Sequence, residues 1–246
     1  GEGGAVELSL QGTVDGQGAK VDALRLASGA EAYVQLAGEL DWLEGFAAET
    51  RIDWQSFDWQ RLYPQDAPPP VTLERLNGEM SYADGAYLGN FQAALNGPAG
   101  DFSVQSPFSG NLEAVHLPQL QASAGQGRIA GQVSIGFAQG VDWKANLTLS
   151  ELDPAFWLAE LPGRLGGTLR SEGNLRDEQL NLSANLDLQG RLRNQPARLS
   201  GSVQGGGPHW NLEGLDLRLG DNRIDGQVRV GEQLDGQLRI AMTQLS

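Results

Sequence analysis

A short unit, apolar-x-Gly-x-apolar, recurs ten times in this chain of 246 residues and limits what the chain can fold into. The copies are Leu10-Gly12-Val14, Leu36-Gly38-Leu40, Leu76-Gly78-Met80, Phe108-Gly110-Leu112, Ile129-Gly131-Val133, Leu165-Gly167-Leu169, Leu188-Gly190-Leu192, Leu199-Gly201-Val203, Ile224-Gly226-Val228 and Leu234-Gly236-Leu238. Each lies in a segment that alternates apolar and polar residues. The clearest is Leu180–Leu192, LNLSANLDLQGRL, in which Leu180, Leu182, Ala184, Leu186, Leu188, Gly190 and Leu192 share one parity and polar residues occupy the other. Alternation of period two predicts a strand with one apolar and one wet face. At about 3.3 Å per residue, such a strand would span roughly 40 Å, so a turn or bend is expected to interrupt it.

A glycine within a strand costs about 0.5–1 kcal/mol relative to alanine, so ten copies work against flat strands. Shape is the expected compensation: a missing side chain on the apolar face lets the strand crease toward that face. A sheet creased repeatedly becomes a trough with an apolar inside and a wet outside. The pattern alone also fits a closed sandwich or barrel with a dry core. A lipid-facing outer-membrane barrel fits less well, because six Trp and four Tyr are few for two aromatic girdles.

The fold class expected is therefore all-β, an elongated, repetitive, curved sheet with one or two short helices. The residues expected to line the apolar side are Leu8, Leu10, Leu36, Leu40, Phe102, Val104, Ile129, Val133, Ile135, Leu147, Leu149, Leu169, Leu182, Leu186, Leu188, Leu192, Leu199, Val203, Leu215, Leu217, Leu219, Ile224, Val228, Val230, Leu238 and Ile240. The expected creases are Gly12, Gly38, Gly131, Gly190, Gly201, Gly226 and Gly236. Around Phe57–Tyr63 and Val71–Leu95 apolar residues fall on both parities, and the pattern there does not choose a face.

Two places break the strand grammar. Asp66–Pro70, DAPPP, is a stiff connector without ladder donors and is read as a surface loop at 64–70 inside one continuous 1–246 segment. Before it the pattern loosens over Phe46–Tyr63, and DWQRLYP reads as a short helical turn that Pro64 stops. In ELDPAFWLAELPG, Asp153 is placed to cap a short helix over 153–161, with Pro154 in its first turn and Leu161-Pro162-Gly163 ending it. There is also an internal repeat. Leu117–Ile135 aligns without gaps on Leu212–Val230, 95 positions later, sharing two Leu, two Gly, Arg, Ile, Gln and Val, and Leu24–Leu40 is a looser version.

The chemistry of the side chains narrows the function. A net charge of −14 argues against nucleic acid and against anionic membrane surfaces. Cysteine is absent, so thiol chemistry and disulfides are excluded. His116 and His209 have no partner at metal-ligand spacing, and Asp221–Asp225, DNRID, has turn chemistry rather than calcium-loop spacing. There is no phosphate-binding loop, dinucleotide fingerprint or nucleophile elbow. Neither an enzyme nor a cofactor is expected. The ends GEGGAVELSL and LRIAMTQLS fall mid-pattern, and the chain is read as a piece of a longer protein.

Three segments in order, LDPAFWLAELPGRLGGTLRSEGNL, NLDLQGRLRNQPARLSGSVQG and LEGLDLRLGDNRIDGQVRV, resemble the TamB family of AsmA-like envelope proteins. The resemblance covers most of Leu117–Ser246 and, more loosely, what precedes it, as a central periplasmic fragment. It implies a U-shaped β-taco whose apolar groove carries phospholipids between inner and outer membranes. The residues named above would then line that groove and crease it. It also implies a periplasmic location, an inner-membrane anchor outside this sequence, and a role in outer-membrane protein assembly with a barrel partner, TamA.

Overall fold

In a computed structural model, residues 6–43, 45–58, 71–98, 100–156 and 160–243 are described. They divide into two compact units, Gly1–Leu112 and Glu113–Ser246. The first contains β1 (Glu7–Val14), β2 (Gly18–Ala27), β3 (Tyr33–Asp41), β4 (Ala47–Gln55), β5 (Thr72–Ala83), β6 (Ala86–Gly97) and β7 (Gly100–Asn111). The second contains β8 (Ala114–Ala124), β9 (Gly127–Gly136), β10 (Val141–Leu152), β11 (Gly163–Arg176), β12 (Gln179–Leu192), β13 (Gln195–Gly206), β14 (His209–Leu219), β15 (Asn222–Val230) and β16 (Leu234–Ala241). Within each unit every strand pairs antiparallel with the next in sequence, and the last strand does not return to pair with the first. Each unit is thus an open, curled, β-taco-like sheet, all-β as the alternation predicts, rather than a closed barrel.

The long alternating segment is one unbroken strand, β12, of 14 residues. No turn interrupts it, and Gly190 within it has φ +155. Gly131 (φ +158), Gly167 (φ +153) and Gly226 (φ +152) share this conformation, which side chains rarely tolerate. The obstacle to a side chain at these positions is the backbone of the paired strand. A Cβ on Gly190 would strike the Arg164 carbonyl oxygen, and one on Gly131 the Asn146 carbonyl oxygen. Gly12 and Gly38 face the same obstruction from Lys20 and Glu49. Gly201 does not, since a Cβ there would make ordinary contacts at 3.5 Å.

Most of these glycines lie beside a β-bulge. Two residues, Pro118 and Gln119, oppose Gln132 alone, so that Leu117 pairs with Val133 and Leu120 with Gly131. In the same way Glu213 and Gly214 oppose Gln227, with Leu212 paired to Val228 and Leu215 to Gly226. The two bulges occupy equivalent places in the 95-residue sequence repeat. A third lies between Leu149, paired with Gly167, and Leu152, paired with Leu165. A fourth lies between Val21, paired with Gly38, and Leu24, paired with Leu36. An extra residue bends the strand and raises its local twist, and a glycine on the partner strand gives the bent backbone room.

One expectation is corrected. Phe46–Tyr63 contains a regular strand, β4, whose apolar parity (Ala48, Thr50, Ile52, Trp54) is diluted by Ala48 and Thr50 and so looks weak in sequence. Of the helix expected over 153–161, the described residues show a 3-10 turn, Pro154–Phe156, and 157–159 lie outside them. Asp153 does cap the turn: its Oδ1 accepts from the N–H groups of Ala155 and Gly163, both at 3.0 Å. The helical turn expected in DWQRLYP and the loop at 64–70 lie largely or wholly outside the described residues.

Replacing Gly190 or Gly131 with alanine should cost about 1–3 kcal/mol each, from backbone strain and the carbonyl collision. Gly201→Ala, with room for its methyl, should stay within about 0.5 kcal/mol of the parent. Urea unfolding midpoints of the three variants check the contrast.

Candidate functional site

Paired residues on neighbouring strands share a face, so the register converts sequence parity into rows that cross each sheet. In the second unit one row runs Ala122, Ile129, Leu149, Gly167, Leu188, Leu199, Leu217, Ile224, Ile240, one residue from each strand β8 to β16. Beside it run Leu120, Gly131, Leu147, Leu169, Leu186 and Gly201, and, past the β14 bulge, Leu215, Gly226 and Leu238. Next come Leu117, Val133, Ala145, Ser171, Ala184, Val203, Leu212, Val228 and Gly236. Then come Val115, Ile135, Trp143, Gly173, Leu182, Gly205, Trp210, Val230 and Leu234, and beyond them a partial row, Val141, Leu175 and Leu180. At the opposite end Leu152, Leu165, Gly190, Ala197 and Leu219 form a shorter row, with Leu192 beyond it paired to Gly163 and Gln195.

The first unit is built alike. Leu8, Leu26, Val34, Trp54, Leu76, Ala93 and Val104 make one row, and Leu10, Leu24, Leu36, Ile52, Gly78, Phe91 and Ser106 the next. Then follow Gly12, Val21, Gly38, Thr50, Met80, Gly89 and Phe108, and Val14, Ala19, Leu40, Ala48, Tyr82, Tyr87 and Gly110. Leu73, Leu95 and Phe102 add a partial row. The register assigns the face that alternation left open over Val71–Leu95: Leu76, Met80, Tyr87 and Phe91 share it, whereas Leu88 lies on the other and is 63% exposed.

All the apolar residues expected to share a face therefore do so within their own unit, and no charged side chain stands in any of these rows. The rows also include residues that parity counting missed, among them Leu117, Leu120, Leu165 and Leu212. At every bulge two apolar residues stand three apart instead of two, as in Leu117/Leu120, Leu149/Leu152, Leu212/Leu215, Val21/Leu24 and Leu73/Leu76. That spacing is the sequence signal that would have found them, since one extra residue switches the parity while keeping the face.

The face is only thinly buried. Among the described residues of the second unit, Leu149, Leu165, Leu188 and Ala197 form the one buried cluster, at 7–8% exposure, with Ile129, Leu147, Leu152, Leu169, Leu186, Leu192, Leu199 and Leu219 packed against it. In the first unit Ala93 and Ser106 are buried; elsewhere most row residues are half-buried, and toward the terminal strands they are open: Leu8 is 67% exposed, Leu10 66%, Leu238 49% and Ile240 61%. Among the described residues no large side chain is fully buried. Phe57, just past β4, is buried against Trp54, with ring centroids 5.8 Å apart and planes at 89°.

The opposite face carries the charge. Exposed pairs run along it: Lys20 with Glu39 at 3.6 Å, Lys144 with Glu172 at 4.0 Å, Arg176 with Asp142 at 2.9 Å and Arg198 with Asp187 at 3.4 Å. Such pairs contribute about 0–1 kcal/mol each. Asp216 is the most engaged, accepting from Arg218 and from Arg223 Nε at 3.0 Å. The Arg218 hydrogen bond, with both guanidinium charges, holds its carboxyl below the ordinary range. This pairing stabilises the fold at neutral pH and is lost only as pH falls through that lowered value. Asp221–Asp225 forms part of the same network, since Arg223 also reaches Asp225 at 3.1 Å. His116 shares a hydrogen bond with Ser134 Oγ at 2.8 Å. A shallow cleft of about 610 Å³ on the charged face of the first unit is lined by Lys20, Glu39, Glu49, Arg51, Glu79 and Asn90, among others. It is a solvated set of exposed groups, with Glu79 accepting from Asn90 at 2.7 Å.

A family model described as TamB, N-terminal domain, matches residues 63–246. The chain belongs to the TamB family. Members of that family serve transport and envelope assembly rather than enzymatic catalysis, spanning the periplasm from an inner-membrane anchor. The match falls on the N-terminal domain of the family and takes in the three segments that carry the resemblance. No solved structure matches the chain.

Truncating Leu188 to alanine, at the centre of the buried cluster, should cost about 2–4 kcal/mol. Leu238→Ala, in the next row but half-exposed, should cost less than about 1 kcal/mol. Thermal unfolding of the two variants measures whether stability is concentrated where the burial is.

Proposed function

We propose that the apolar face of each unit is a lining along which phospholipid acyl chains pass, as part of a periplasmic bridge between inner and outer membranes. The observation that carries this reading is the unbroken, uncharged run of rows across every strand of a unit, left half-exposed. A dry structural core would hide such a surface. Here it is only partly covered by its own strands, and an apolar occupant would relieve the cost of what stays open. Carrying a phospholipid through water exposes about 0.8 kcal/mol per CH₂, or tens of kcal/mol for two chains, so a conduit needs apolar surface at every step. It also needs no deep pocket, because local tight binding would stall movement. Shallow rows of Leu, Val, Ile and Ala meet both conditions.

On this reading Leu186, Leu217 and their row neighbours touch acyl chains, the bulges and Gly12, Gly38, Gly131, Gly190, Gly226 and Gly236 shape the lining, and the charged face keeps it in water. No cofactor takes part. The link to outer-membrane protein assembly would run through the family's inner-membrane anchor and its barrel partner, TamA.

A photo-crosslinking residue at Leu186 or Leu217, introduced in the full-length protein in cells, should capture phospholipid, identified by mass spectrometry of the adduct. Silence at both and at further row positions would sink the reading. Leu186→Glu should leave the protein folded and block lipid passage. Unfolding by that change would instead indicate a closed core, where an unpaired buried charge is not tolerated.

A further inference from the structure

The apolar face of the second unit is not the same at its two ends. Its strands carry two Trp residues and no Tyr or Phe, Trp143 on β10 and Trp210 on β14. Both fall in the same row, although 67 positions separate them, and only the partial row Val141, Leu175 and Leu180, 38–43% exposed, lies beyond it. Both are seated on a glycine of the neighbouring strand: a side chain at Gly173 would strike the Trp143 ring, and one at Gly205 would come within 2.7 Å of the Trp210 ring. Each indole N–H is engaged, Trp143 Nε1 to Ser171 Oγ at 3.1 Å and Trp210 Nε1 to the Gly207 carbonyl at 3.0 Å. The buried cluster, Leu149, Leu165, Leu188 and Ala197, lies in the two rows at the other end.

An indole is an apolar plate with one polar edge, and it is most stable where hydrocarbon meets water. Two such plates, each against a glycine in one row, mark a boundary of that kind, with the exposed Val141, Leu175 and Leu180 on one side and the aliphatic rows that lead to the buried cluster on the other. We propose that the Trp143–Trp210 row seats the glycerol and ester region of a bound phospholipid, with its acyl chains directed toward the row of Leu149 and Leu188. This orientation rests on the lipid-carrying reading of the same face. It gives the face a polarity across its strands, in which headgroups follow the tryptophan rim and chain ends travel over the aliphatic rows.

The test uses the whole chain with phosphatidylcholine spin-labelled either at the headgroup or near the acyl terminus. The fluorescence attributable to the two rim residues is the difference between the parent and a Trp143→Phe, Trp210→Phe variant. The headgroup label should quench that difference about two-fold or more over the terminal label. Equal or reversed quenching with lipid bound overturns the orientation and leaves the lipid-carrying reading standing. Absence of bound lipid overturns both. Should the double variant fail to fold, photo-crosslinkers at Leu182, in the tryptophan row, and at Ile129, in the Leu149 row, give the same answer. Fragmentation of the adducts should place the Leu182 bond near the glycerol and the Ile129 bond near the chain end, and the opposite assignment overturns the proposal.

Discussion

The structure depends on one geometric coupling, a bulge on one strand set against a glycine on the next. A single amphipathic sheet has no second layer to hold its shape, so curvature must come from within the ladder. An extra residue, such as Gln119 beside Pro118, bends its own strand and turns every later side chain over relative to strict alternation. The chain then places its next apolar residue three positions on, at Leu120, and the face is kept. The partner strand must pass close to the bent backbone, and Gly131 at φ +158 permits that. The glycine gives the bent backbone room, and the β5 bulge between Leu73 and Leu76, which has no glycine opposite it, is set instead against the small side chains of Ala93 and Ala94.

Burial follows from this. A sandwich of this length would bury two faces against each other, whereas here each unit has one apolar face and nothing laid upon it by its own strands. The buried set of the second unit shrinks to Leu149, Leu165, Leu188 and Ala197, around the β10 bulge and Gly190. Stability rests on backbone ladders and cross-strand aliphatic pairs instead of a dense core. The exposed apolar area is a liability in isolation, and the −14 charge, carried on the opposite parity, keeps such a surface in solution. A face that is costly to leave bare and shallow enough to slide along suits a passing chain better than a fixed ligand.

Much of this was legible in the sequence. Alternation placed Leu182, Leu186 and Leu188 on one face, and it located every strand whose apolar parity is built from Leu, Val or Ile. Strand β4 was obscured because Ala48 and Thr50 dilute its pattern. The recurrent glycines were visible, but the reason for them was not: the collision at Gly190 is with the Arg164 carbonyl of a neighbouring strand, and only the register reveals it. Parity counting also stopped at the bulges, so Leu117 and Leu212 were left out although Leu-x-x-Leu inside an alternating run marks a bulge. The tryptophan rim was beyond reach for a related reason, since nothing in one dimension puts Trp143 and Trp210 in one row.

The repeat carries the argument a step further. Leu117–Ile135 and Leu212–Val230 share eight identities, and the conserved positions are the ones the module needs: the two leucines flanking the bulge, the turn glycine, and the Ile-x-Gly-x-Val that opposes it. The bulge residues themselves differ, Pro118-Gln119 in one copy and Glu213-Gly214 in the other, because any pair that leaves the ladder serves. In the first unit the looser copy keeps the parts and changes their order. Gly38 pairs with Val21, before the bulge, where Gly131 pairs with Leu120, after it. The glycine can therefore stand on either flank, and the requirement common to all copies is adjacency to the bulge. A module defined by adjacency can be repeated along a chain without fixing the side chains around it. That freedom lets each sheet stay uniformly aliphatic over most rows and place indoles in only one.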